Sequence, residues 1–352
     1  MIPHSRPSIS PDDLCAVEEI VRGQMLAQGT EAARLEAELS ARFGFGHFAS
    51  AVGSGSAALQ LALLALNVQP GDEVVLPTYI CRAVLQAVHA LRARPVLCDS
   101  GPDWVVTPRE VASKITARTR AVLVAHLYGI WADVPAIKAL GVPVIEDACQ
   151  ALAARGTRAV AGDIAIVSFH PTKLITGGEG GAAVTSSPVC ATRLKELRDG
   201  RYDPLARAVF SPFSDLSAAL ALRQLRQLDS WLIRRREIAE RYRQTLMQIS
   251  GTDIFWGPMA SGVFYRFVLR LAGGCDRYAA LFAQEGVTIR RGVDELMHRL
   301  LRQDDSTFPN AIRQYDTTVS IPLYPGLSEE ELSRVNQAMA AVFGRAGIRF
   351  LA

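Results

Sequence analysis

Long apolar runs and concentrated charge are both scarce in this sequence of 352 residues. No segment approaches the roughly 20 consecutive apolar residues that a membrane helix needs, and the start of the chain lacks the apolar core of a secretory signal. The net charge of +3 is too small to indicate a nucleic-acid partner, and no basic run interleaves with aromatic residues. We therefore expect a cytoplasmic globular protein with neither a membrane nor a nucleic-acid partner.

Closely spaced cysteines are also lacking. The six cysteines show no C-x-x-C pair and no nearby histidine at metal-ligand spacing: Cys15, Cys81, Cys98, Cys149, Cys190 and Cys275. This scatter argues against a disulfide framework and against a zinc site, so we predict reduced thiols and no metal. Two of the cysteines, Cys81 and Cys149, lie inside the motifs described below and are candidates to line a site.

Apolar strands alternate with helices in the first part of the chain, and the strands are continuous apolar runs. This pattern is typical of an α/β fold with a mainly parallel sheet between two layers of helices. The predicted strands include FASAV, VVLP, PVLCD, RAVLVAHL and VPVIED. Pro77, His126 and Asp147 fall at or just past strand ends. We expect a ligand at that edge, because such sheets bind ligands at the carboxyl ends of their strands.

The pattern changes in the last third of the chain. A long helix pair is predicted from about Leu216, and GVFYRFVLRL then alternates like a half-buried strand. A terminal helix follows, with Ser328 as its N-cap. The sequence therefore predicts a large domain over residues 1–234 and a smaller α+β domain over residues 235–352.

A glycine-rich turn opens the helix after FASAV. Within VGSGSAALQ, the amides of Gly55, Ser56 and Ala57 precede a helix whose dipole is positive at this end. Such a turn suits a phosphate dianion. The alternative interpretation is an ordinary helix start with a serine cap.

The same turn also fits a dinucleotide-binding pattern. Gly53, Gly55 and Ala58 match G-x-G-x-x-A after a strand. That motif needs an acid at the end of the next strand, whereas Asp72 and Glu73 precede it. The nicotinamide hypothesis is therefore disfavoured.

A lysine and a carboxylate each follow a strand, as pyridoxal phosphate requires. Lys173 can form a Schiff base with the aldehyde, and Asp147 can keep the pyridine nitrogen protonated. Glu146 points to the other side of its strand. Ser168 is predicted to donate to the phosphate and Gln150 to the ring oxygen. We expect cationic or apolar surroundings to lower the pKa of the lysine.

The motifs VIEDACQ and SFHPTK…GEGG together are highly specific. With the segments around them, they make the chain resemble the DegT/DnrJ/EryC1/StrS sugar aminotransferases, within the fold-type I enzymes that use pyridoxal phosphate. The resemblance covers nearly the whole chain, from LAQGTEAARLEAEL to IPLYPGLSEEEL. It implies a large domain with a mainly parallel sheet and a smaller C-terminal α+β domain.

The resemblance also implies roles for single residues. Lys173 corresponds to the Schiff-base lysine, Asp147 to the partner of the pyridine nitrogen, and Gln150 to the residue at the ring oxygen. Three residues correspond to phosphate contacts: Ser168, Ser56 and Ala57. Lysine, rather than the histidine of the sugar-dehydrating relatives, favours transamination.

The family's activity implies an amino donor, glutamate or glutamine, and a keto-sugar acceptor that is nucleotide-linked. It implies a homodimer whose subunits share the active site, working in amino-sugar, polysaccharide or secondary-metabolite biosynthesis. Two alternatives stay open: a sugar dehydratase or lyase that uses pyridoxal phosphate, and a regulatory protein that binds it without turnover.

The sequence departs from the family pattern at the cofactor. Cys81 stands where an aromatic residue usually covers the ring, with Tyr79 nearby. Phe210 and Pro212 replace the asparagine and basic residue that reach the partner subunit's phosphate. Two arginines are candidates to replace them: Arg201 and Arg207. Three others are candidates to hold the donor carboxylate: Arg82, Arg290 and Arg291.

Overall fold

The computed structural model describes residues 1–44, 46–152, 160–201, 209–251, 263–346 and 350–351. Two helices precede the sheet, as the sequence predicted: α1 (Pro11–Gly23) and α2 (Thr30–Phe43). Helix α1 begins with a capping box, in which the Ser10 hydroxyl accepts the Asp13 amide and the Asp13 carboxylate accepts the Ser10 amide.

Seven strands form one sheet in the order β1-β7-β6-β5-β4-β2-β3. They are β1 (Phe48–Val52), β2 (Glu73–Pro77), β3 (Arg94–Cys98), β4 (Thr119–Ala125), β5 (Val144–Asp147), β6 (Ile164–Ser168) and β7 (Gly181–Thr185). The helices between them are α3 (Gly55–Ala65), α4 (Arg82–Ala90), α5 (Pro108–Ala112), α6 (Val134–Lys138) and, after β7, α7 (Pro188–Arg198).

Strands β2 to β6 are parallel to their neighbours among themselves, and β7 runs antiparallel to both β1 and β6. The predicted α/β class with a mainly parallel sheet is therefore confirmed. In the register of the sheet, Ala125 on β4 pairs with Asp147 on β5, which pairs with Ile166 on β6. The carboxyl ends of these strands consequently meet at one edge.

The predicted helix pair after Leu216 is wrong, because the segment forms one helix, α8 (Asp215–Ser250), of 36 residues. Nothing in its sequence interrupts it, since it contains neither glycine nor proline. The Ser214 hydroxyl caps its start by accepting the Ser217 amide, and Gly251 ends it in the left-handed conformation. Within the described residues, no helix is both long and apolar enough to cross a membrane.

The C-terminal part of the chain adds a two-stranded sheet and more helices. These elements are β8 (Phe267–Arg270), α9 (Gly274–Gln284), α10 (Met297–Leu300), α11 (Pro309–Thr317), β9 (Thr318–Ile321) and α12 (Glu329–Ala346), with a 3₁₀ turn at Asp305–Thr307. The Ser328 hydroxyl accepts the Glu331 amide at 3.1 Å, which confirms the predicted N-cap of α12.

Strand β8 lies between two hydrophobic cores. Its Val268 packs in the core of the large sheet, whereas Phe267 and Leu269 pack in a second core. The expected half-buried strand is therefore wrong in this respect, because both faces are covered. The predicted domain boundary at residue 235 falls inside α8 and stays a prediction.

Candidate active site

Asp147 stands at the carboxyl end of β5, at the centre of the sheet edge. It is partly buried, and its Oδ1 accepts the Cys149 amide at 3.0 Å. Residues 148–152 contain no helix, so the aspartate is not the N-cap of one there. The local turn instead fixes a carboxylate at the edge where a ligand was predicted.

Glu146 points away from this site, as the strand geometry predicted. Its Oε2 lies 2.9 Å from His126 Nε2, and its Oε1 accepts the Ala161 amide at 2.7 Å. The His126 Nδ1 accepts the Ala132 amide at 3.2 Å, so the other ring nitrogen carries the proton that binds the glutamate. Burial alone would raise the pKa of Glu146, but these hydrogen bonds hold it below its ordinary value.

The predicted phosphate loop lies beside the end of β6. A Cβ atom on Gly55 would come within 3.0 Å of the Ser168 Cβ, so the backbone approaches closer than a side chain would permit. Ser56 is exposed in the first turn of α3. The Ala57 amide donates to the Ser54 hydroxyl at 3.0 Å, so this predicted phosphate donor is also part of a serine cap.

Lys173 lies in the turn after β6, and its Nζ is 5.7 Å from the centre of the Tyr265 ring. Burial acts to lower the pKa of this lysine, but interactions with Tyr265, Cys149 and Asp147 outweigh it, so the pKa is raised. The expectation of a lowered pKa is therefore wrong for this structure, because acidic groups rather than cations surround the amine. Cys81 also raises the pKa of the Lys173 amine, so its thiol belongs to the same cluster.

The aromatic and amide groups near the site are arranged by hydrogen bonds. Tyr79 is fully buried, with its hydroxyl 3.0 Å from that of Tyr128, so it does not replace the missing ring-covering aromatic. Cys81 is exposed and is the N-cap residue of α4. The Gln150 Oε1 accepts the Tyr128 amide at 3.0 Å, which leaves its Nε2 as the donor end of the side chain.

The segment before α8 folds back onto its own chain. The Ser211 hydroxyl accepts the Gly53 amide at 3.1 Å, beside the predicted phosphate loop. Phe210 is 73% exposed, and Arg201 is an exposed residue with its guanidinium 4.0 Å from Asp199. Arg207 lies outside the described residues. The replacement for the family's cross-subunit contact therefore stays a prediction.

The three arginines predicted to hold a donor carboxylate all have a carboxylate of the chain itself. Arg82 pairs with Glu295, Arg290 lies 3.5 Å from Asp294, and Arg291 pairs with Asp276. Their charges are therefore balanced within the protein.

Sequence reasoning missed Tyr265 and Arg266. The hydroxyl of Tyr265 interacts with the side chains of Thr172 and Arg266, and its ring faces Lys173. Burial acts to raise the pKa of Tyr265, but the charges of Lys173, Arg266 and Arg235 and a hydrogen bond with Thr172 outweigh it, so the pKa is lowered. No local signal marks this tyrosine, because it lies in a segment that alternates like an ordinary strand.

These residues fit pyridoxal phosphate. A primary amine, a fixed carboxylate and a glycine turn against a serine supply the three kinds of contact that the cofactor's aldehyde, ring nitrogen and phosphate need. All six cysteines are free, and no group of three or more potential metal ligands occurs among the residues described.

The model of the DegT/DnrJ/EryC1/StrS aminotransferase family matches residues 7–340. The chain belongs to this family. TlmJ, an aminotransferase from Streptoalloteichus hindustanus, is similar at 29% identity over 98% of this chain and 100% of its own, with a TM-score of 0.89. DesV from S. venezuelae shares 28% identity over 94% and 93% of the two chains, with a TM-score of 0.82.

A further solved structure supports the fold alone. This is ntda from Bacillus subtilis, with bound cofactor PMP, at 23% identity over 95% of this chain and 82% of its own, with a TM-score of 0.81. The chain is accordingly an aminotransferase of the DegT/DnrJ/EryC1/StrS family with the fold of type I enzymes.

Proposed function

We propose that this aminotransferase uses pyridoxal phosphate to move an amino group from glutamate or glutamine to a keto-sugar, in amino-sugar, polysaccharide or secondary-metabolite biosynthesis. The observation that carries the proposal is the cluster of Lys173 with Asp147 at the carboxyl edge of the sheet, next to the turn at Gly55 and Ser168. A nucleotide-linked sugar is the acceptor that the family resemblance favours.

Each residue of the cluster has a distinct role in this proposal. When bound, pyridoxal phosphate supplies an electrophilic carbon and a ring that accepts electrons. The Lys173 amine would hold the cofactor covalently and would move the proton at the donor's α-carbon. Asp147 keeps the ring nitrogen protonated, since a buried carboxylate favours the cation beside it.

The remaining contacts orient the cofactor. The hydroxyl of Ser168 and the amides of Gly55, Ser56 and Ala57 bind the phosphate at the N-terminus of α3. For this purpose the Ala57 amide would exchange its bond to the Ser54 hydroxyl for one to the phosphate. The donor nitrogen of Gln150 reaches the ring oxygen, and Cys81 covers the ring.

We further propose a homodimer that works in the cytoplasm. Apolar residues are exposed along α1 and the turn after it: Leu14 at 65%, Val21 at 55% and Met25 at 76%. Such a face favours a second copy of the chain as its cover. The segment at Phe210 lies beside the phosphate loop, which is where the family resemblance implies a shared site.

The first test is the visible absorbance of the purified protein with added pyridoxal phosphate, before and after excess L-glutamate. We expect a band from the lysine-bound cofactor, and we expect glutamate to convert that band to the spectrum of the aminated cofactor. In K173A both the covalent band and turnover are expected to be lost, with activity reduced about 10³-fold or more.

A suitable control is K138A, because Lys138 is a surface lysine that pairs with Asp163 at 3.2 Å, remote from the described cluster. K138A should keep the band and the response to glutamate. A band that glutamate leaves unchanged would favour the alternative of lyase chemistry or regulatory binding. Normal turnover by K173A would refute the role of this lysine.

A further inference from the structure

Arg266 lies directly before β8 and is partly buried. Its Nη1 donates to the Gly292 carbonyl at 3.1 Å, and its Cζ is 5.3 Å from the centre of the Tyr265 ring. The hydroxyl of that tyrosine interacts with the guanidinium, and the same ring is 5.7 Å from the Nζ of Lys173. The guanidinium therefore borders the reacting amine, with one aromatic residue between them.

The charge of Arg266 is not balanced by a close carboxylate within the part of the chain that the structure describes. Asp294 acts on it only at longer range. By contrast, the buried Arg198 binds Glu36 at 2.6 Å. A partly buried guanidinium that makes one carbonyl bond keeps several donors for an anion, and desolvation makes such an anion favourable.

Arg235 provides the internal comparison. It is also buried without a carboxylate, but its Nη1 donates to the carbonyls of Phe264, Tyr265 and Leu323 at 3.0 to 3.2 Å. Those three bonds explain Arg235 as a structural tie between α8 and the C-terminal segments. Arg266 makes one carbonyl bond and interacts with the Tyr265 hydroxyl, so backbone carbonyls do not occupy its donors in the same way.

We propose that Arg266 binds a carboxylate of the amino donor, with the Tyr265 hydroxyl as a second donor to it. This inference rests on the proposed function. The planar guanidinium matches a carboxylate in two parallel hydrogen bonds. A carboxylate held there places the donor's amino carbon toward Lys173, where the proton has to move. The ligand is thus an amino acid such as glutamate.

The test measures binding without turnover. Glutarate, which has the carboxylates of glutamate but no amine, is titrated by calorimetry into the pyridoxal-phosphate-loaded wild type, R266M and R345M. Arg345 is an exposed arginine that pairs with Glu285 at 3.3 Å, so R345M removes a positive charge away from the site. We expect glutarate to bind R266M at least about tenfold more weakly than wild type, and R345M to match wild type.

Equal binding of glutarate to wild type and R266M would overturn the inference, as would a wild type that does not bind it. Inorganic pyrophosphate serves as a second probe in the same titrations. Binding of pyrophosphate but not glutarate through Arg266 would assign the residue to an acceptor's phosphates and would also overturn it. If R266M fails to fold, R266K decides, since it keeps the charge and loses the two-bond geometry; we expect binding to weaken about fivefold.

The same proteins separate this inference from the proposed function. The cofactor band and its response to L-glutamate report the function, whereas the titration reports Arg266. Glutarate binding that depends on Arg266, in a protein that does not transfer the amino group of glutamate, would contradict the proposed function and leave the carboxylate site standing.

Discussion

The two sides of the residue cluster at Lys173 are built in different ways. On one side, Asp147 and Ser168 are the last residues of adjacent strands, so the sheet register fixes their spacing. On the other side, Tyr265 and Arg266 come from a segment far along the chain, held by contacts to Thr172 and Gly292. The first side has the groups that a cofactor needs, and the second has the groups that could distinguish substrates.

This difference teaches where variation is tolerable. A change on the sheet side alters chemistry that every substrate shares. A change at Tyr265 or Arg266 instead alters the affinity for the amino donor and the pKa of Lys173. The departures from the family pattern fall on the sheet side as well, at Cys81 and in the segment before α8. Asp147, Ser168 and Lys173 match the pattern, while Cys81 and the segment at Phe210 do not.

Among the changes that compare the two sides, the largest effect is expected from D147N, which tests the sheet side. Asparagine keeps the oxygen that accepts the Cys149 amide, so the turn should persist while the negative charge is lost. A neutral amide no longer favours the protonated ring nitrogen, and we expect kcat to fall about 100-fold or more with the cofactor still covalently bound. Steady-state kinetics with the absorbance band as a loading check measures this.

Asp133 offers a matched control for that substitution. Its carboxylate caps α6 by accepting the Ala136 amide at 3.1 Å, and asparagine caps helices equally well. D133N should therefore keep wild-type kcat. If D147N also kept wild-type kcat, Asp147 would not be the partner of the ring nitrogen.

The sheet side is also the part that sequence could predict. The strand ends at Pro77, Asp147 and Ser168 follow from local apolar runs, so the edge and its residues were placed correctly. Residues 215–250 were correctly predicted to be helical, but as two helices rather than one. Helical periodicity extends over only a few turns and does not exclude a break between two helices.

The opposite side could not be predicted, because its geometry depends on long-range packing. Tyr265 faces Lys173 only when β8 has docked between the two cores. The raised pKa of Lys173 has the same origin, since it requires Tyr265 and Cys149 near one amine. No local sequence pattern indicates that these side chains come close together. The ion pairs of the candidate arginines Arg82 and Arg291 were likewise not predictable, because their acidic partners Glu295 and Asp276 are not adjacent to them in sequence.

A smaller effect, on the second side, is expected from Y265F. Tyr265 is the foremost group that raises the pKa of Lys173, so loss of its hydroxyl should lower that pKa and increase the fraction of free amine at a given pH. The free amine is the form that attacks the aldehyde. We expect the cofactor-free protein to capture pyridoxal phosphate faster at a given pH, with the rate profile displaced toward lower pH.

Stopped-flow absorbance between about pH 6 and pH 10 would measure this displacement. Tyr315 provides the control, since its hydroxyl donates to the Asp294 carbonyl at 3.2 Å and does not act on the lysine. Y315F should leave the profile in place. An unchanged profile in Y265F would mean that Asp147 and Cys149 set the pKa of Lys173 without the tyrosine. The two sides of the cluster would then have no electrostatic coupling.

The smallest effect is expected at Cys81, where the sheet side itself departs from the family. The residue is exposed, and its side chain makes no capping hydrogen bond to α4, so replacement should not destabilise that helix. A phenyl ring covers a flat cofactor better than a thiol does, and the gain from aromatic stacking is about 1 kcal/mol. C81F should therefore retain pyridoxal phosphate about threefold to tenfold more tightly, and C81A somewhat less tightly, than wild type.

Equilibrium dialysis of the cofactor compares the three proteins. Weaker retention by C81F would show that the thiol does not face the ring and that the site at this point is shaped for something narrower than an aromatic side chain.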